Sequence, residues 1–178
     1  MLNKIRIGPR LFWQALGMAF WLVVLALVAL NYLRDLNRTT AAIYTEKLEP
    51  GAIVLRIQTL MAENNMQVLG GLLHDPAGKQ AARHEHPIAQ HTDQLIKNRD
   101  AISELWKTFK SRSLNEQEQK LAEAYEQARA VFVKEGLMVA NQALQAGDFE
   151  QAALVYASVV RPAYAKASAA ADALRLYY

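Results

Sequence analysis

The chain has 178 residues, of which 52% are hydrophobic and 21% charged, and it contains no cysteine. This excludes a disulfide-stapled fold, thiolate metal sites, cysteine nucleophiles and disorder by composition. With 8 glycines, 5 prolines and no dominance of β-branched residues, it also disfavours an all-β fold. The formal charge is +3 and the pI is near 9.2. That basicity is local: Lys4, Arg6 and Arg10 precede the first acidic residue, Asp35, and the remainder balances 17 basic against 17 acidic residues. No basic stripe interleaved with aromatics is present, so nucleic acid is set aside as a partner.

Residues 11–33 read LFWQALGMAFWLVVLALVALNYL without a charge. As a helix, this run is about 34 Å long, enough to cross a hydrocarbon core of about 30 Å. Trp13 and Tyr32 stand near its ends, where amphipathic rings favour the membrane interface. The run is longer than a signal-peptide core and is followed by no clear cleavage site, so an uncleaved anchor is expected. The basic flank, residues 1–10, is then cytoplasmic by the positive-inside rule, and residues 34–178 lie outside.

Helix-period patterns fill the rest. The first stretch runs from about Arg34 to Leu73, with a kink or interruption expected at Pro50-Gly51 and an end at Gly70-Gly71 and Asp75-Pro76-Ala77-Gly78. Met61, Asn64, Val68 and Gly71 share its expected inner face. A helical turn is expected within residues 79–86. The second stretch, Pro87 to Phe109, places Ile88, His91, Leu95, Asn98, Ile102, Leu105 and Phe109 at alternating steps of three and four. The third opens on Ser113-Leu114-Asn115-Glu116, which fits a capping box, and continues as a seam of Leu121, Ala124, Ala128, Val131, Glu135 and Met138, widened by Tyr125 and Phe132. The fourth follows Gly147, with Asp148 as cap and a seam of Phe149, Ala153, Tyr156, Val160, Ala163, Ala167, Ala170, Leu174 and Tyr177. Pro162 should bend it. The expectation is an all-α chain: an N-terminal transmembrane helix (11–33) continuing into an up-down-up-down antiparallel four-helix bundle (34–178).

A basic-flanked anchor, Leu48-Glu49-Pro50 in the first helix and four helices in this order resemble the sensor region of bacterial methyl-accepting chemotaxis receptors. Residues 143–174, ALQAGDFEQAALVYASVVRPAYAKASAAADAL, are similar to the last two helices of their ligand domain. HDPAGKQAARHEHPIAQHTDQLIKN (74–98) resembles variants of the same domain. The resemblance implies a periplasmic sensor in the bacterial inner membrane that dimerises through its first helix and binds a small polar molecule. It implies signalling through a second membrane helix to a cytoplasmic rod. No second membrane helix follows Tyr178, so signalling partners are expected only through a cytoplasmic part absent from this chain. The arginines of the family's aspartate receptors have no counterpart here. The comparable positions are Ala62, Gln67 and Gly71, so amino-acid specificity does not carry over.

Among candidate binding residues, Arg161 precedes Pro162 one step off the seam, and its planar guanidinium suits an organic anion. Asn64 on the inner face of the first helix and His91 and Asn98 at seam positions of the second are further candidates, with Gln67 at a position the resemblance aligns with a ligand-binding arginine. Such residues either fix helix register or line a polar cavity. Glu135 would pair with His91 or Asn98 if they share a layer. Arg83 is a further basic candidate. His74, His84, His86 and His91 fall in one 18-residue window, with Asp75 and Glu85 nearby. They are weak candidates for a metal or haem, because His86 and His91 stand five apart with Pro87 between them. No metal or cofactor is favoured. No di-iron Glu-x-x-His repeat, phosphate-cradling loop, nucleophile elbow or HExxH occurs, so an enzyme is not expected. The leading function is an extracytoplasmic ligand-sensing region that binds an organic anion as a dimer. The alternative is a membrane-tethered bundle acting as a protein-interaction or structural module.

Overall fold

A computed structural model describes residues 7–178. Lys4 and Arg6 of the expected cytoplasmic flank lie outside the described residues. The described residues are helical throughout, with no strand among them. They divide into two units, residues 1–45 and 46–178.

The first unit holds α1, Ile7–Ile43, a helix of 37 residues. Its apolar side chains face outward: Phe12, Trp13, Phe20, Trp21, Leu25 and Leu30 are all exposed. It is long and apolar enough to cross a membrane by length and composition.

The second unit contains α2 (Glu49–Leu72), α3 (Ala89–Lys110), α4 (Glu116–Val131), α5 (Met138–Gln145), α6 (Phe149–Val155) and α7 (Arg161–Leu176). A short 3-10 turn, Ala81–Arg83, interrupts the connection from α2 to α3. Helix α2 packs against α3 and α7, α4 against α7, and α5 against α6 and α3. The core runs along these contacts through Ile57, Met61, Val68, Leu95, Phe109, Tyr125, Phe132, Leu144, Val160 and Leu174. Burying a large apolar side chain stabilises by about 1.5–3 kcal/mol. Trp106 adds two ring contacts, stacked on Phe109 at 5.0 Å and edge-on to Tyr125 at 4.7 Å.

Three π-helical turns join successive α-helices: Tyr44–Leu48, Phe132–Leu137 and Tyr156–Val160. In two of them a proline follows two residues after the turn, Pro50 and Pro162. Proline has no N–H, and its ring crowds the carbonyl four residues back. Widening the preceding turn relieves that clash. Before Pro162 the Arg161 N–H reaches back five residues to the Tyr156 carbonyl, and after the middle turn Met138 does the same to Val133. The bend expected at Pro162 thus takes the form of a widened turn.

One wide turn explains where the expected fourth seam slips. Downstream of Tyr156–Val160 the expected Val160, Ala163, Ala167 and Leu174 are buried, but Ala171 takes the buried position expected of Ala170. Upstream the buried residues are Ala152 and Val155, and Ala153 is exposed. The step from Val155 to Val160 is five residues, and a rule of threes and fours mis-phases everything before it. The third seam is also rotated. Ala122, Tyr125 and Phe132 are buried, while Ala124, Val131 and Glu135 are exposed. The large aromatic rings, read as flank residues, take the centre because they carry the most apolar area.

Two helix boundaries also differ from expectation. The capping box of α4 is formed by Asn115 and Glu118, not by Ser113 and Glu116. Asn115 Oδ1 accepts from the Glu118 N–H at 2.9 Å, and Glu118 Oε2 accepts from the Asn115 N–H at 2.7 Å. Asn115 has the extended backbone of a cap, which starts the helix two residues later. Gly70 and Gly71 do not end the first bundle helix but lie inside its last turn. The Asp148 cap holds as expected, its Oδ1 accepting from the Gln151 N–H at 3.0 Å.

Candidate functional site

The end of α2, the segment that follows it and the start of α3 converge on one polar cluster. His74 lies two residues beyond α2, and His84 follows the Ala81–Arg83 turn. His86 stands just before Pro87, and His91 is the third residue of α3. The Pro87 carbonyl accepts from the Gln90 N–H and the Ile88 carbonyl from the His91 N–H, which bends the chain into the helix. That bend turns His91 back towards His86 despite their spacing in sequence. Their Nε2 atoms are 2.9 Å apart.

All four histidines are half-buried, and one ring nitrogen from each lies within 4.8 Å of those from the other three. Their ring centroids are separated by 4.5 Å for His74 and His84 and by 4.9 Å for His86 and His91. No carboxylate belongs to this group among the described residues. The Asp75 side chain is engaged elsewhere, accepting from the Ala77 N–H at 2.9 Å in the turn after α2.

The electrostatics follow from crowding. Burial, then the neighbouring His84 and His86, hold His74 below the ordinary imidazole value of 6.5. Burial, then His86, His74 and His84, do the same for His91. His74 Nε2 is buried with no hydrogen-bond partner.

Beneath the histidines a polar seam continues down α2 and α3. His91 Nδ1 meets Gln67 Oε1 at 2.6 Å. One turn along α3, Gln94 donates to buried Asn98 Oδ1 at 2.8 Å, and Asn98 Nδ2 donates to Glu63 Oε2 at 3.2 Å. Asn64 faces the core beside Met61 and Val68, fully buried, and both its amide atoms lack a hydrogen-bond partner.

Three of the six expected binding residues, Gln67, His91 and Asn98, therefore fall on this α2–α3 seam, and a fourth, Asn64, is buried in the core of the same unit. Arg161 does not join them through any hydrogen bond or ion pair among the described residues. It is exposed in the first turn of α7, next to buried Val160. Arg83 ends the 3-10 turn, and its side chain lies outside the described residues. Glu135 is exposed in the middle π-helical turn, and the carboxylate that meets Asn98 is that of Glu63.

Sequence reasoning missed Gln94, Glu63 and Gly70. A Cβ on Gly70 would lie 2.6 Å from His91 Cε1, so only glycine admits the imidazole there without a shift. The adjacent glycine pair was a visible signal, but it reads equally as a helix terminator.

Over residues 1–178 the chain matches the family model described as the Tar ligand binding domain homologue. No curated protein and no solved structure matches it.

Proposed function

Because the chain belongs to the family of Tar ligand binding domain homologues, we propose that it is the extracytoplasmic ligand-sensing region of a bacterial chemoreceptor. The observation that carries this reading is the match over the whole chain to a ligand-binding sensor domain. The exposed apolar surface of α1 supports its role as the membrane anchor, since such a surface is costly in water. Arg10 and the preceding basic residues orient residues 1–10 to the cytoplasm and the second unit to the periplasm. The pairing of α2 with α3 and α7, and of α4 with α7, supports an up-down-up-down bundle. The working form is a homodimer in the inner membrane, signalling to cytoplasmic partners across it.

The ligand of this reading is an organic anion held by Arg161, whose guanidinium is exposed and offers a bidentate donor face. A thermal-shift screen of the full chain in detergent against carboxylic acids and amino acids tests it. A ligand at a hundredfold excess over its Kd stabilises by about 2.7 kcal/mol. The expected result is stabilisation by a di- or tricarboxylate that Arg161→Ala abolishes. Absence of stabilisation by any small molecule turns the assignment to a membrane-tethered protein-interaction bundle.

A further inference from the structure

We infer that His74, His84, His86 and His91 form a binding site for one divalent transition-metal ion of the zinc, nickel and copper class.

Distances carry the argument first. A tetrahedral ion bound at about 2.0–2.1 Å from each nitrogen needs ligand atoms about 3.3 Å apart. One nitrogen of each of the four histidines already lies within 4.8 Å of the others, and the His86–His91 pair stands at 2.9 Å. Closing the set takes side-chain movements of an ångström or so. Three of the four residues lie in the connection between α2 and α3, where such movement is easiest. Four nitrogens this close enclose the volume of a single ion and leave no room for the width of a porphyrin, so haem does not fit.

A second, independent observation is that His74 Nε2 is buried without a hydrogen-bond partner. A buried nitrogen left unmatched costs free energy, and with the proton of His74 on Nδ1 a metal ion supplies the missing partner of the Nε2 lone pair. The third is the support behind the cluster. With Gln67 Oε1 accepting, His91 carries its proton on Nδ1, which leaves the Nε2 lone pair facing the cluster. A ligating histidine whose other nitrogen donates to a fixed oxygen is the usual arrangement around protein-bound metals. In the metal-free state His86 Nε2–H then donates to His91 Nε2, and binding the ion through His86 Nε2 requires that ring to change tautomer, its proton moving to Nδ1 with no net loss of a proton. Gly70 keeps the space that the His91 ring occupies.

The chemistry selects the ion. Four imidazoles and no carboxylate favour borderline acids and disfavour calcium and magnesium, which take oxygen ligands. A bound ion would clip both ends of the segment between Leu73 and Ile88 to each other and to α3 through His91. It would sit directly above the Gln67 and Asn98 seam.

The test uses the full chain in detergent, purified without a polyhistidine tag. Titration with Co²⁺ reads the coordination directly. The expected result is one ion per chain, with the intense visible absorption of a tetrahedral nitrogen site, displaced by one equivalent of Zn²⁺. His74→Ala and His86→Ala each abolish that spectrum while far-ultraviolet circular dichroism stays helical. Gln67→Leu retains all four ligands but weakens Zn²⁺ binding about 10- to 100-fold. No stoichiometric Co²⁺ binding by the wild-type chain overturns the proposal, and so does binding that survives replacement of all four histidines by alanine. The metal titration and the carboxylate screen are separate readouts, so this site stands or falls independently of the anion assigned to Arg161.

Discussion

Gly136 and Val160 bring two π-helical turns into direct backbone contact: a Cβ on Gly136 would lie 3.2 Å from Val160 Cα and 3.3 Å from its Cγ2. The turns Phe132–Leu137 and Tyr156–Val160 pack on each other at this point. Both Gly136 and Val160 are buried. A methyl group there meets a backbone atom, which has less freedom to retreat than a side-chain tip. Overpacking of this kind costs about 1–3 kcal/mol. Replacing glycine by alanine within a helix returns up to about 1 kcal/mol. Gly136→Ala is therefore expected to lower stability by about 1 kcal/mol, seen as a reduced midpoint in thermal unfolding. A raised midpoint would mean that the two wide turns separate freely.

The same pair marks the limit of what the sequence discloses. Helix content, the approximate ends of the helices and the buried positions Leu95, Asn98, Ile102 and Phe109 of α3 follow from periodicity, but Thr92 and Trp106 are buried in place of the expected His91 and Leu105, because two positions one apart satisfy steps of three and four equally well. Periodicity fails wherever a π turn inserts a residue, as between Val155 and Val160. Proline at position 162 announces a distortion but not its form, since a kink and a widened turn both relieve the same clash. The site was legible in part. His91 and Asn98 were visible as polar residues at seam positions, Gln67 only through the family resemblance, and four histidines in one short window were visible as composition. Their convergence was not, because it depends on how the chain folds back between Leu73 and Ile88, and no helical spacing rule applies to such a segment.

The cap of α4 gives a sharper test of local sequence grammar. Ser113 and Asn115 both offer a plausible start, yet only Asn115 exchanges hydrogen bonds with a residue three positions on. Loss of such a cap costs about 1 kcal/mol. Asn115→Ala is expected to lower the unfolding free energy by about that amount, whereas Ser113→Ala, at an exposed position, should change it by less than about 0.5 kcal/mol. Equal effects in denaturant titrations would move the helix start back to Ser113.

The histidine cluster predicts a direction for the pH dependence of the metal-free protein. His74 and His91 titrate below the ordinary 6.5 in the folded state, chiefly through burial and then through the other histidines. In the unfolded chain they return to that value and bind protons first. Their contribution to stability is therefore fully present above 6.5. It is lost as the pH falls through that value towards the lowered folded-state values. Thermal unfolding with chelator present, scanned from about pH 8 to about pH 5, should show a loss on acidification that is smaller in a His74→Gln, His91→Gln double variant. Stability that rises on acidification, or an unchanged slope in the variant, would contradict the crowding of the four rings.

Asn64 offers the clearest separation of stability from function. It is fully buried, flanked on its face by Met61 and Val68, and neither amide atom has a hydrogen-bond partner. An unsatisfied buried amide costs about 1–3 kcal/mol, whereas an apolar side chain of similar volume carries no such penalty. Asn64→Leu should therefore stabilise the second unit by about 1 kcal/mol, raising the unfolding midpoint by about 2–4 °C for a chain of this size. Residues that cost stability and persist are commonly held for activity. Asn64 is also an expected binding residue, so the same variant should weaken binding of a carboxylate found in the thermal-shift screen, while Val68→Ile, a purely apolar change on the same face, should leave binding intact. Paired thermal unfolding and ligand titration of the two variants decide it: a destabilised Asn64→Leu would show that the amide is satisfied in the folded protein, and would make it a core residue with no separate role.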